Sequence, residues 1–167
     1  SGPQVVRHYR FTNDKESKLG NEPLPDGSVL ALRRVSPDNL YNFVGRTNVK
    51  YIPIGEEVEL NLGQDREVLV KPRLMNWEKV DLRFNNQGQV AGWTVKETWE
   101  CEIQNSKEIG IVLDIRRNFG GDWEMATEAQ HEQVDRNKVK FVQSLAPGEK
   151  RTLQYVLTTR HGINEGR

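Results

Sequence analysis

The stretch Trp93-Thr94-Val95-Lys96-Glu97-Thr98-Trp99-Glu100-Cys101-Glu102-Ile103-Gln104 decides the fold class. Its odd positions are mostly apolar (Trp93, Val95, Trp99, Cys101, Ile103) and its even positions polar. Successive side chains of an extended chain point to opposite faces, so this is a strand with one dry and one wet face. After Asn105-Ser106-Lys107 the alternation resumes at Ile109, Ile111, Leu113 and Ile115, with Asp114 and Arg116 opposite. The two runs predict a long antiparallel hairpin, with Trp93, Val95, Trp99 and Cys101 buried and Lys96, Glu100 and Glu102 exposed.

Working outward, turn signals recur every ~10 residues, the rhythm of an all-β sandwich or barrel. Val5, Tyr9 and Phe11 mark a first strand, and Asn13 to Gly27 a polar loop ending in a tight turn. Ser28 to Val35 is a second strand, stopped by Ser36-Pro37-Asp38-Asn39. Tyr41 to Gly45 and Asn48 to Ile52 read as two short strands, and Val58, Leu60 and Leu62 alternate before Gly63. Glu67 to Trp77 carries Pro72, which has no N–H for a ladder and so belongs at an edge or bulge. Val80, Leu82 and Phe84 form a further strand before the turn Asn85-Asn86-Gln87-Gly88. Beyond the hairpin, Asn118 to Asp122 is a glycine-rich bend, Lys138 to Leu145 a strand, and Leu153, Tyr155 and Leu157 share a face of the last strand. Glu124 to Val134 is the one helix candidate. It lacks an i, i+3, i+4 apolar stripe and is read as loop or a single irregular turn.

These readings give an antiparallel, immunoglobulin-like β-sandwich with little or no helix. A composition shift divides it into a short-strand lobe, 1–63, and a long-strand lobe, 64–167. The two are read as one continuous domain, since ~63 residues alone make a marginal core.

Charge narrows the partners. Lys+Arg and Asp+Glu are 24 each, whereas nucleic acid or an anionic membrane calls for a concentrated basic face. No apolar run approaches the ~20 residues of a membrane span. A single cysteine, Cys101, makes no intrachain disulfide, and its place on the dry register favours packing over reactivity. That usage fits a cytosolic protein and leaves a bacterial envelope open. Ser1-Gly2-Pro3 reads as a boundary cut into a longer protein, so a targeting segment upstream stays open.

Motifs for chemistry are missing. The chain has no Gly-x-Ser-x-Gly elbow, no phosphate-binding loop and no dinucleotide fingerprint. His131-Glu132 lacks the second histidine of a zinc-protease helix, and His8, His131 and His161 are far apart, so neither metal nor cofactor is expected. Glu97 is the one acid on the dry register. It is either a carboxylate perturbed by burial or one at the sheet rim paired with an arginine, and no partner acid supports catalysis.

The best surface candidate is Gly120, Gly121, Asp122, Trp123 and Glu124 after Asn118-Phe119. Paired glycines bend the chain sharply, and Trp123 between two acids could stack on a sugar or anchor a peptide. The plainer reading, which we favour, has Trp123 plugging one end of the sandwich with Asp122 and Glu124 in water. Trp77, Trp93 and Trp99 are read as core or sheet-face residues.

Several stretches together resemble a bacterial family. They are Arg10-Phe11-Thr12-Asn13, Leu19-Gly20-Asn21-Glu22-Pro23-Leu24-Pro25-Asp26-Gly27-Ser28-Val29, Phe43-Val44-Gly45, Ile52-Pro53-Ile54-Gly55-Glu56-Glu57-Val58, Leu60-Asn61-Leu62-Gly63 and Gly121-Asp122-Trp123-Glu124. They are similar to the C-terminal β module called domain-of-unknown-function family 4139, found in mucoidy-inhibitor-like proteins, and the likeness runs from about Val5 to Arg160. It implies a module that follows a coiled coil and an N-terminal β domain in a longer chain. The sequence departs from the family over Val68 to Trp77, where Val70, Pro72 and Leu74 replace charged residues. The family has no established catalytic residues to transfer. The expectation is a non-enzymatic structural or interaction module whose partner is a protein segment or another domain of the same longer chain. A carbohydrate-binding module is the alternative and a hydrolase a distant third.

Overall fold

The computed structural model describes residues 3–35 and 40–166. The stop expected at Ser36-Pro37-Asp38-Asn39 lies outside them. The protein is all-β, with eleven strands, every pairing antiparallel, and no helix among the described residues. It forms two compact units, residues 4–66 and 67–166.

In the first unit β1 (Val6–Thr12) pairs with β4 (Glu57–Gln64), and β2 (Gly27–Arg34) forms a hairpin with β3 (Tyr41–Val49). The core is Ile52, Val58 and Leu60, packed by Phe11, Leu24, Val29, Val49 and Leu62. Two short strands were expected between Tyr41 and Ile52; Tyr41–Val49 is a single strand instead. No Gly-Pro or Asn-Gly signal interrupts Arg46-Thr47, and a bulge near Ala31 and Leu32 keeps β2 in step with it. Gly45 lets β3 approach β4 closely: a Cβ there would sit 2.7 Å from the Leu62 carbonyl oxygen.

The second unit holds two sheets. The four-stranded sheet has the order β5 (Val68–Phe84), β6 (Val90–Asn105), β11 (Lys150–Gly162), β8 (Asp122–Ala126). The three-stranded sheet has the order β7 (Ile111–Asn118), β10 (Lys138–Leu145), β9 (His131–Asp135). Their dry faces meet through Phe141 and Tyr155, with ring centroids 5.8 Å apart, and through Arg117, which lies 5.1 Å from the Trp99 ring. Ile103, Val139, Phe141 and Leu145 are almost wholly enclosed there.

The expected hairpin does not form. β6 pairs with β5 and β11, whereas β7 pairs with β10, so the chain changes sheets after Asn105. Alternation reports which face is dry and is silent on which strand lies alongside. The local cause is Asn105, fully buried, whose Nδ2 donates to the carbonyls of Ile109 (2.8 Å) and Ala146 (3.0 Å) while its Oδ1 accepts from Lys107 N–H (3.1 Å). That side chain organises a wide connection where a tight turn would otherwise fold the strand back.

The register expectation holds only at one end of β6. Cys101 and Ile103 are buried, but Trp93, Val95 and Trp99 are half-buried, and so are Glu100 and Glu102. Lys96 is exposed, while its neighbour Thr94 is buried. The reason is Asn164, which covers the opposite face near Gly92 and donates to the Thr94 hydroxyl (3.3 Å). β6 thus buries one face at one end and the other face at the other.

Two further corrections concern strand limits. Val80 to Phe84 continues β5, a 17-residue edge strand that carries Pro72 and bulges near Leu74 and Asp81. Glu124 to Val134 is not loop or irregular turn: Asp122–Ala126 and His131–Asp135 are strands. Their polar composition hid them, because they are edge strands ordered by pairing with β11 and β10.

Candidate functional site

The five residues Gly120 to Glu124 enter the second unit at the end of β7. Phe119 is buried, Gly120 is exposed, and Gly121 adopts a φ of 78°, a left-handed backbone that glycine tolerates at no steric cost. The reversal delivers β8 onto β11, with Trp123 opposite Thr159. Period-two geometry then sends Trp123 and Met125 to the dry face and Asp122 and Glu124 to the outer one.

Trp123 and the two acids therefore leave β8 on opposite faces. Asp122 and Glu124 converge on Arg160, at 3.8 and 2.8 Å, and Asp122 also accepts the Gly166 N–H (2.8 Å). Trp123 is half-buried: its ring lies 5.0 Å from that of Phe119, and its Nε1–H donates to the Arg136 carbonyl (3.1 Å). It rests on the core and reaches across to the far end of β9.

Between β8 and β9 lies an open cleft of about 370 Å³. Trp123 and Met125 line it from β8, His131 and Gln133 from β9, with Arg136 beyond and Val139 at its floor. His131 Nδ1 is 3.0 Å from the Ala129 carbonyl oxygen, and its ring lies 6.0 Å from Phe141. Each of β8 and β9 is hydrogen-bonded to one neighbour only and ends its sheet. Residues of both strands line this opening. Sequence reasoning weighed His131 only as a metal ligand and missed Gln133 and Arg136, because a polar edge strand leaves no apolar alternation to read. The single available signal was the period-two spacing of His131, Gln133 and Asp135.

The other sequence candidates hold structural positions. Glu97 Oε2 accepts from Trp99 Nε1–H (3.1 Å). Cys101 is buried, which pushes its thiol above the ordinary range, with the Arg117 guanidinium acting the other way. His8 lies 3.6 Å from Glu59, and His161 stacks on Trp93 with centroids 5.2 Å apart. Among the described residues no three histidine, cysteine or acidic side chains gather as metal ligands, and no helix is long and apolar enough to cross a membrane. Comparison with protein-family models, with curated proteins and with solved structures finds no significant match to this chain.

Proposed function

We propose that the chain is a non-enzymatic interaction module, an immunoglobulin-like β-sandwich of the kind found in domain-of-unknown-function family 4139, that captures an extended protein segment in the cleft between β8 and β9. The observation that carries this reading is that residues of two sheet-terminal strands line one opening. Strand edges present unpaired N–H and C=O groups, and an extended peptide can satisfy them by adding a strand. Here the main chain supplies affinity. Trp123 and Met125 on one wall and His131 and Gln133 on the other supply contacts for alternate side chains. The partner is a segment of another protein or of a longer chain to which this module belongs.

The test is selection of seven-residue peptides from a random displayed library against the intact chain, followed by hydrogen exchange of the complex. Selected peptides should slow exchange at the amides of β8 and β9. Trp123→Ala should weaken binding about tenfold or more, as loss of an aromatic anchor does. Because Trp123 is half-buried on Phe119, its truncation should cost about 2 kcal/mol of stability, well below a core tryptophan. Protection at other strands, or undiminished binding by a folded Trp123→Ala chain, would sink the reading.

A further inference from the structure

The cleft between β8 and β9 is bounded at both ends. At one end residues 127–130 carry the chain directly from β8 into β9. Thr127 pins that connection: its hydroxyl donates to the Gln154 carbonyl (2.6 Å) and accepts the Ala129 N–H (3.1 Å). At the other end Trp123 reaches across to the turn after β9, where its Nε1–H donates to the Arg136 carbonyl (3.1 Å). An extended segment can enter from the open side, but it cannot run between the strands and out again past Trp123. What such a cleft receives is a chain end.

Charge decides which end. Arg136 lines the cleft where Trp123 closes it, is exposed, and has no carboxylate within ion-pair reach among the described residues. The neighbouring acids are engaged elsewhere. Asp122 and Glu124 are held by Arg160, Glu132 by Lys140 (2.8 Å) and Asp135 by Lys138 (3.3 Å). Asp135 also accepts the Asn137 N–H (2.8 Å). Resting on the reading of this cleft as a peptide site, we propose that the segment it captures is a carboxy-terminal one. The terminal carboxylate meets the Arg136 guanidinium, and the last apolar side chains lie against Trp123 and Met125. A guanidinium holds a carboxylate through two parallel N–H···O bonds. An amino terminus would instead bring a second cation to Arg136, and an internal acidic residue would need the chain to continue beyond Trp123.

The experiment displays random seven-residue peptides in two formats, at the free carboxy terminus of a carrier protein and fused at both ends, and selects each against the intact chain. The first format should yield the binders, and any from the second should be at least about tenfold weaker. A selected sequence is then synthesised with a carboxylate end and with a carboxamide end. The carboxamide should bind the parent about tenfold more weakly. Arg136→Gln should weaken the carboxylate form about tenfold and bind the two forms within about twofold of each other. Its side chain is exposed, so an unchanged melting temperature shows that the variant folds. Arg73→Gln, which removes an exposed cation of β5, should leave both affinities within about twofold. Binders that slow exchange at β8 and β9 but ignore amidation or Arg136→Gln would overturn the carboxylate inference and leave the peptide reading standing. Equal yield from the doubly fused format would do the same. No binder in either format would overturn both.

Discussion

At the scale of single residues, three buried asparagines hold this protein's irregular segments. Asn13 is fully enclosed; its Nδ2 faces the carbonyls of Glu22, Ile52 and Pro53 at 3.2–3.3 Å, and its Oδ1 accepts the Gly20 N–H at 2.9 Å. Asn105 does the same for the passage between sheets, and Asn164 ties the C-terminal segment to the Asp81 carbonyl and Thr94. A buried amide serves here because it donates and accepts at once, matching loop backbone that no ladder satisfies. Asn13→Ala leaves those groups unmet and should cost about 2–3 kcal/mol in urea unfolding, with faster proteolysis between residues 14 and 26. Asn13→Asp should be worse at neutral pH, since an ionised carboxylate only accepts and would face carbonyl oxygens. If the aspartate variant proves as stable as the parent, the amide is not the organiser. None of this was legible in the sequence. Asn13 reads like any polar loop residue, and the Ile52 and Pro53 carbonyls that it meets lie 39 and 40 positions away.

At the scale of elements, most strand positions were readable and strand partners were not. The alternations at Val58 to Leu62 and Lys138 to Leu145 mark real strands, because each has one face on a core. The Trp93 run fails as one half of a hairpin because β10 and β11 carry the same periodicity, which names no partner. β8 and β9, which border the candidate cleft, were hidden since edge strands need no apolar face; only Gly120 to Glu124 pointed toward the place. Close approaches between elements are equally silent in sequence. Gly45 looks like a turn residue, yet it is where β3 meets β4, with the Leu62 carbonyl 2.7 Å from an added methyl. Gly45→Ala must shift a backbone rather than a flexible side chain, and a loss of about 1–3 kcal/mol should follow. Gly27→Ala, where nothing lies within 4 Å of the added carbon, is the control and should be neutral or slightly stabilising. Equal thermal stabilities for the two variants would refute the close-approach account.

At the scale of the whole molecule, pH acts on several groups of residues 67–166 that their surroundings move, Cys101, Glu102, Asp135, Glu149 and Tyr155 among them. Every tryptophan lies there too, so tryptophan fluorescence reports unfolding of that unit alone. On the acid side, the Ala146 N–H and Arg151 hold Glu149 below its ordinary value, and its contribution is present above about pH 4.5 and fades as pH falls. On the alkaline side the sign reverses. Burial raises the Cys101 thiol and the Tyr155 phenol above their ordinary 9.0 and 10.0, so the unfolded chain loses these protons first. Stability carried by the neutral forms is whole below pH 9.0 and is lost as pH climbs through the raised values. Urea midpoints read by tryptophan fluorescence should therefore hold steady from pH 7 to 8.5 and then decline. Tyr155→Phe separates this effect from general charge repulsion. The hydroxyl is buried beside Arg117 without a well-formed hydrogen bond, so its removal should change stability at pH 7 by less than about 1 kcal/mol. The variant should also flatten the decline above pH 10, and adding Cys101→Ala should flatten the part that begins near pH 9. If the doubly substituted chain loses stability with pH as steeply as the parent, the two buried acids are not its cause, and lysine deprotonation at the surface ion pairs becomes the explanation to measure.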